Sequence, residues 1–293
     1  MFFKLNIDVL QLGLHSDMDQ LLFPVESWNI RPEVRLLNDT HLSCYEFDER
    51  RNNCLSNVNW NENAVFVLLP ELDTDDISLS REFLRVLELV PELQSHQNVY
   101  LFPYGRSSLQ LALRQAESGF SKNQFDSVQI FSYDRSSRLD IGSPTVGTSA
   151  GVASECAIVA TVSSAKRGLK FSWSSYERHT SDKTEAFTVA ELLSRYNKQK
   201  GLLLSQCYFP LCIEETAKEA WLTSLCNLGF CISNETEILF LDMYTGDLGA
   251  CSGLFSLCHM QKQYQEGRYK GRTLQLDISH GQYRSVMMLE YRA

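Results

Sequence analysis

The residues best placed for chemistry lie in Tyr244-Thr245-Gly246-Asp247-Leu248-Gly249-Ala250-Cys251-Ser252-Gly253-Leu254. This stretch follows the apolar run Ile238-Leu239-Phe240-Leu241 and is predicted to open a helix reaching about Gln263. A cysteine near a helix N-terminus is a potential nucleophile, because the amide dipoles there favour its thiolate. The competing reading of Cys251 is a small residue in a tight helix crossing, the commoner fate of a free cysteine, and it is preferred. Asp247 could act as a general base. An acid in a first helical turn more often complements the helix dipole, a gain of about 0.3–1 kcal/mol. Elsewhere the signals are weaker. His179 sits in the polar loop Glu177-Arg178-His179-Thr180-Ser181-Asp182 without a nucleophile in sequence. Cys258-His259 lacks a second pair at ligand spacing. Gly105-Arg106-Ser107-Ser108-Leu109 is not a Gly-x-Ser-x-Gly elbow, and Ser107 reads as a helix-start residue. Lys262, Arg268, Lys270 and Arg272 form a local basic patch that reads as a solvated face.

These groups depend on the elements that carry them. Phe3, Leu5, Ile7 and Val9 alternate with polar residues, the period of a half-buried strand. Residues 15 to 63 are weakly periodic and are predicted to form loops with short elements. Val65–Leu69 suits a buried strand ended by Pro70. Phe83, Leu84, Leu87 and Val90 have helical spacing up to Pro91. Strands are predicted at Val99–Phe102 and Val128–Phe131, with a helix from about Arg106 to Ser118 between them. The second half repeats this texture. Strands fall at Ala157–Val162, Leu202–Leu204 and Ile238–Leu241. A helix is predicted from Thr188, capped toward Glu191, and another carries Ala217, Trp221 and Leu225. The chain closes with a hairpin through Leu274–Ile278 and Val286–Tyr291. Strands alternating with helices mean α/β layers. Glycines cost a helix roughly 1 kcal/mol each, so Gly246, Gly249 and Gly253 imply close approach of another backbone.

Composition excludes several classes. The 293 residues are 44% hydrophobic and 22% charged, ordinary for a globular protein. A net charge of −9 argues against nucleic acid, whose phosphates call for a basic surface. No apolar run reaches the roughly 18 residues that a membrane span requires. Met1–Asp8 reads as a strand and not as a signal peptide. Nine cysteines without Cys-x-x-Cys signal neither a zinc site nor a disulfide framework. A reduced, cytoplasmic protein is expected, with no metal and no cofactor.

Four segments, in order, resemble the β-ketoacyl synthase branch of the thiolase superfamily. Tyr244–Leu254 resembles its Thr-Gly-His-Leu-Leu-Gly-Ala-Ala-Gly motif, with Asp247 in place of the catalytic histidine. Gly105–Leu113, followed by Phe125–Asp134, looks like the nucleophile helix and the strand after it. Ser154–Val159 looks like the family's Gly-Glu-Gly-Ala-Ala strand start. Gln206-Cys207-Tyr208-Phe209-Pro210 lies where the family has Ala-His-Gly-Thr-Gly. The resemblance implies a five-layer αβαβα sandwich built from two duplicated halves, 1–145 and 146–293. It puts Gly105 or Arg106 at the nucleophile position, Cys207 near the first histidine and Asp247 at the second, so those four residues should converge as a degenerate site. The expected function is then a catalytically inactive, protein-binding accessory or adaptor factor: a pseudoenzyme and not an enzyme. Residues 246–253 and the Gly105 region look closest to short thiolase-like proteins of bacterial type VI secretion gene clusters, whose effectors or adaptors would be possible partners. A dimer, with itself or with a related thiolase-like chain, is expected. The alternative is an active or acyl-binding thiolase-fold protein, acyltransferase-like, using Cys251, whose Ala-Cys-Ser-Gly-Leu setting also looks like a thiolase nucleophile segment.

Overall fold

The computed structural model describes residues 2–22, 28–37, 40–47, 55–60, 62–72, 76–135, 152–180, 182–211 and 215–293. The expected junction between halves near residue 145 lies outside them. Twelve strands and seven α-helices are seen among the described residues. The strands are β1 (Phe2–Leu12), β2 (Glu33–Leu37), β3 (Thr40–Tyr45), β4 (Val65–Leu68), β5 (Val99–Phe102), β6 (Ser127–Arg135), β7 (Ala153–Ala165), β8 (Gly168–Arg178), β9 (Gln206–Tyr208), β10 (Glu237–Leu239), β11 (Arg272–Ile278) and β12 (Tyr283–Arg292). The helices are α1 (Met18–Leu21), α2 (Asp76–Leu89), α3 (Ser108–Ser121), α4 (Glu185–Gln199), α5 (Glu215–Ser224), α6 (Asp242–Thr245) and α7 (Cys251–Gln265).

Two five-stranded blocks share one topology. Their orders are β5-β4-β6-β7-β1 and β10-β9-β11-β12-β8. In each, the second strand in sequence pairs in parallel with the third and fourth, and the last two pairings are antiparallel. The blocks join where β1 meets β8 over two positions only, Phe2 with Lys170 and Phe3 with Leu169.

Alternation along the strands sorts their side chains into layers. In β4, Phe66 and Leu68 face a central core that holds Leu109, Ala112 and Leu113 of α3 with Leu254, Phe255 and Leu257 of α7. Val65 and Val67 face the opposite way, with Val86 of α2. In β12, Met287 and Leu289 join the central core, while Val286 and Met288 pack with Leu192 of α4 and Trp221 of α5. The layers are therefore α2, sheet, α3 with α7, sheet, α4 with α5. This is the expected αβαβα class, with α3 and α7 in contact in the middle.

Local differences from the sequence reading have physical causes. The helix expected from Asp247 starts at Cys251, because Gly246 and Gly249 take positive φ, 72° and 52°. Leu202–Leu204 is not a strand: Leu204 N–H bonds to Cys231 O, and pairing begins at Gln206. Thr184, not Thr188, caps α4, by accepting the Phe187 N–H. Among the described residues no helix is long and apolar enough to cross a membrane.

Candidate functional site

Two strand-to-helix turns meet in the middle layer. After β5 the chain makes a single 3-10 turn, Gly105–Ser107, into α3. Ser108 Oγ fixes that turn by donating to Phe102 O (2.7 Å) and accepting from Tyr104 N (3.0 Å). Ser279 Oγ clamps it from the β11–β12 loop, donating to Tyr104 O (2.8 Å). The turn drives Arg106 inward, and its side chain is 3% exposed. After β10 the chain passes through α6 and the turn Gly246–Ala250 before α7 begins. Here Asp247 is held on three sides. Its Oδ1 accepts from Arg106 Nη2 (2.7 Å) and Gly249 N (2.8 Å), and its Oδ2 pairs with His280 Nε2 (2.5 Å). Arg106 Nη1 lies 3.6 Å from Asp242 Oδ2, which also accepts the Leu211 N–H.

Burial alone would favour neutral Asp247, but the Arg106 guanidinium, aided by His280 and the Gly249 amide, holds its carboxyl well below the usual carboxylate range. Burial works against charge on Arg106 as well, and Asp247 and Asp242 more than restore it. Two nearby carboxyls go the other way. Burial pushes Asp134 up to about 7, with the negative charge of Asp247 adding to the rise, although it accepts the Ala250 N–H (2.7 Å). Burial also pushes Asp277 up to about 7, against the hydrogen bonds from Gln275 Nε2 (3.1 and 3.0 Å). An open pocket of about 240 Å³ lies over this network, lined by Glu71, Gly105, Arg106, Asp134, Asp247 and His280 among others.

The structure thus brings together Gly105, Arg106 and Asp247. It does not bring Cys207 to them. Cys207 points to the outer core with Leu204 and Trp221, while its neighbour Tyr208 faces the central one. Burial pushes the Cys207 thiol up to about 12, so it carries no reactive charge near neutrality. Cys251 is fully buried, its Sγ 3.4 Å from Cys156 O. His179 lies beside Thr188 and Glu185, away from the pocket. His259 is buried with its Nδ1 2.8 Å from the Tyr208 hydroxyl. No group of three or more metal-ligating side chains forms among the described residues. Lys262, Arg268 and Arg272 each pair with a surface carboxylate. The sequence reading missed Asp134, Asp242, Asp277 and His280. Asp134 was visible only as the end of a strand segment.

No family model matches the sequence, and no curated protein matches it. Solved structures do. A ketosynthase from module 6 of the bacillaene synthase of Bacillus subtilis 168 aligns with a TM-score of 0.63 at 9% identity, over 99% of this chain and 70% of that one. The ketosynthase of the AntDE:AntF complex gives 0.61 at 9% identity, over 99% of this chain and 100% of the other. OleA of Xanthomonas campestris gives 0.55 at 12%, over 99% and 100%. At such identities the likeness establishes the thiolase-like ketosynthase fold. It also corrects one expectation. The reading of the chain as no enzyme is overturned, because the solved structures that share its fold include ketosynthases and a tetronic acid condensing enzyme.

Proposed function

We propose that this chain is a thiolase-fold subunit that works by binding another protein, in a condensing-type assembly to which a related chain or a second copy contributes. The observation that carries this reading is the Arg106–Asp247 ion pair. At the position that the resemblance assigns to a thioester-forming cysteine stands Gly105, and the next residue is a buried arginine tied to two carboxylates. Thioester condensation through that position is closed, because neither residue has a nucleophile to offer. Cys251 does not replace it, being enclosed between α7 and β7.

Support for a protein partner comes from β5. It ends its sheet, pairing only with β4 among the described strands. Val99, Tyr100 and Leu101 along it are half-buried. An apolar edge strand is a template for pairing unless it is covered. Solved proteins of this fold include a ketosynthase with its acyl-carrier protein and a ketosynthase/chain length factor. The finer form of the reading is an accessory role like that of the type VI secretion proteins that residues 246–253 resemble, in the cytoplasm, with effectors or adaptors as partners. The matching topology of the two blocks supports descent from a duplicated half.

Light scattering at micromolar concentration tests the pairing. Twice the chain mass of 33.5 kDa is expected, since obligate interfaces bury over about 2,000 Å². A monomer that also fails to capture a co-expressed ketosynthase-like chain would sink the proposal.

A further inference from the structure

A second, narrower space borders Arg106 inside the middle layer. It is a crevice of about 30 Å³, with Leu241 and Phe255 on its apolar walls and Asp242, Ser252, Gln275 and Asp277 on its polar ones. Two of these polar groups have an atom that no protein group satisfies. Gln275 is 1% exposed, and its amide is oriented by three acceptors. Nε2 faces both carboxyl oxygens of Asp277 (3.1 and 3.0 Å) and the Gly253 carbonyl (3.4 Å). The reverse orientation would set Oε1 against the same acceptors. Oε1 therefore turns away from them, and there it meets no protein donor. Ser252 Oγ is also buried without a protein partner. A helical serine often bonds back to the carbonyl four residues earlier, and this one does not. Buried polar atoms in folded proteins are nearly always hydrogen-bonded, so both atoms call for a ligand.

Size and charge decide which ligand. The Arg106 guanidinium on the wall opposes a cation, and the carboxyls of Asp242 and Asp277 oppose an anion. A neutral molecule that both gives and takes hydrogen bonds remains. A buried water needs about 10–15 Å³ of such space and two to four polar partners. We propose that the crevice is a binding site for about two ordered waters, which hydrogen-bond Gln275 Oε1 and Ser252 Oγ and so tie α7 to β11. Water donates to Gln275 Oε1, and the Ser252 hydroxyl can give one hydrogen bond and accept others. The Asp277 carboxyl on the same wall is a further partner. The site also accounts for an uncharged polar side chain on the buried face of β11. It does not depend on the partner reading, since all its groups lie inside one chain.

The test begins with crystals of the unmodified full chain at high resolution. Solvent density is expected within hydrogen-bond reach, about 2.7–3.2 Å, of both Gln275 Oε1 and Ser252 Oγ. Replacing sodium with rubidium should not strengthen it. Xenon under pressure should not enter, because it takes dry apolar space. Magnetic relaxation dispersion of labelled water then reads the site in solution. Ser252→Val, whose added methyl groups fill the crevice, should lower the number of long-lived internal waters by about one or two. Ser121→Val, at an exposed position on α3, should leave that number unchanged. The crystal arms use the unmodified chain, so a variant that fails to fold does not remove the test. An empty crevice, a rubidium peak, bound xenon, or an unchanged water count in folded Ser252→Val would overturn the proposal.

Discussion

The turns that lead into α3 and α7 occupy equivalent places in the two blocks, each after the third strand and before the middle helix, yet they are built from opposite materials. The α3 turn is short, and a 3-10 turn aims one arginine into the interior. The α7 turn is longer, with α6 and two positive-φ glycines, and it presents carboxylates. Asp242 and Asp247 both come from this side. Each turn alone would bury uncompensated charge, at a cost of several kcal/mol per ion. Together they neutralise each other at the centre of the molecule. Two blocks of one topology thus become a complementary pair when one supplies the cation and the other the anions.

Breaking that complementarity should give the largest effect. Arg106→Met removes the cation and leaves Asp247 and Asp242 facing each other without it. Urea unfolding should show a loss of about 3–5 kcal/mol, the scale for removing one partner of a buried pair. Asp247→Ala should cost less, about 3 kcal/mol, because Asp247 is 25% exposed and Asp242 stays to hold the arginine. In the double variant the losses should fall short of their sum, since the second change removes a charge that the first had stranded. Strict additivity would show that the two turns are not energetically joined.

A pH series sharpens the comparison next. Asp277 reaches the site from β11 and is not paired as Asp247 is. Its folded pKa of about 7 lies above the ordinary value of 3.8, so the native state holds this proton more tightly than the unfolded chain does. The contribution is complete below about pH 4 and is lost as pH rises to about 7, by up to roughly 4 kcal/mol. Asp134 adds a slope of the same sign. Asp247 has the opposite sign: its depressed pKa contributes stability above the ordinary carboxylate range, and that is lost as acid protonates it. Asp277→Asn should therefore flatten the fall of Tm between pH 4 and 7 and leave the acid limb unchanged. An unaltered slope between pH 4 and 7 would remove Asp277 from the set of titrating groups.

The same contrast explains what was legible in the sequence. Layers and order were visible because apolar periodicity reports burial directly: the runs at Val65, Val99, Val128 and Ala157 are all strands. Strand β8 was passed over although Leu169, Phe171 and Trp173 alternate along it, because the polar residues Lys170, Ser172, Ser174 and Ser175 around them look like a loop. In β11 the visible signal was Leu274, Leu276 and Ile278. The intervening Thr273, Gln275 and Asp277 are also buried, because a sheet between two helical layers has no wet face. Polar residues on such a face face the middle helices instead, and Gln275 reaches the Gly253 carbonyl of α7 (3.4 Å). The pairing of Arg106 with Asp247 was open to inference only through the resemblance, since 141 residues separate them. Cys207 was misjudged because a three-residue strand gives no phase, and a shift of one position exchanges its two faces. Asp134 and His280 carry no periodic signal at all; only tertiary contact gives them meaning.

The smallest expected effect tests whether the two middle helices truly lean on each other. Gly253 has ordinary helical geometry, so its glycine identity is not required by its backbone. A Cβ there would stand 3.1 Å from Leu109 Cβ and 3.3 Å from the Arg106 carbonyl oxygen, both on the α3 side. Ala would gain about 1 kcal/mol of helix propensity and lose about 1–3 kcal/mol to overpacking. The expected net is a loss of about 1 kcal/mol, read as a Tm a few degrees lower. Leu109→Ala should by itself cost about 2–5 kcal/mol through its cavity. Combined with Gly253→Ala it should cost less than the sum, because the new methyl occupies part of the vacated space. A stabilised Gly253→Ala would mean that the helices have room to part, and that the ion pair alone holds the two turns together.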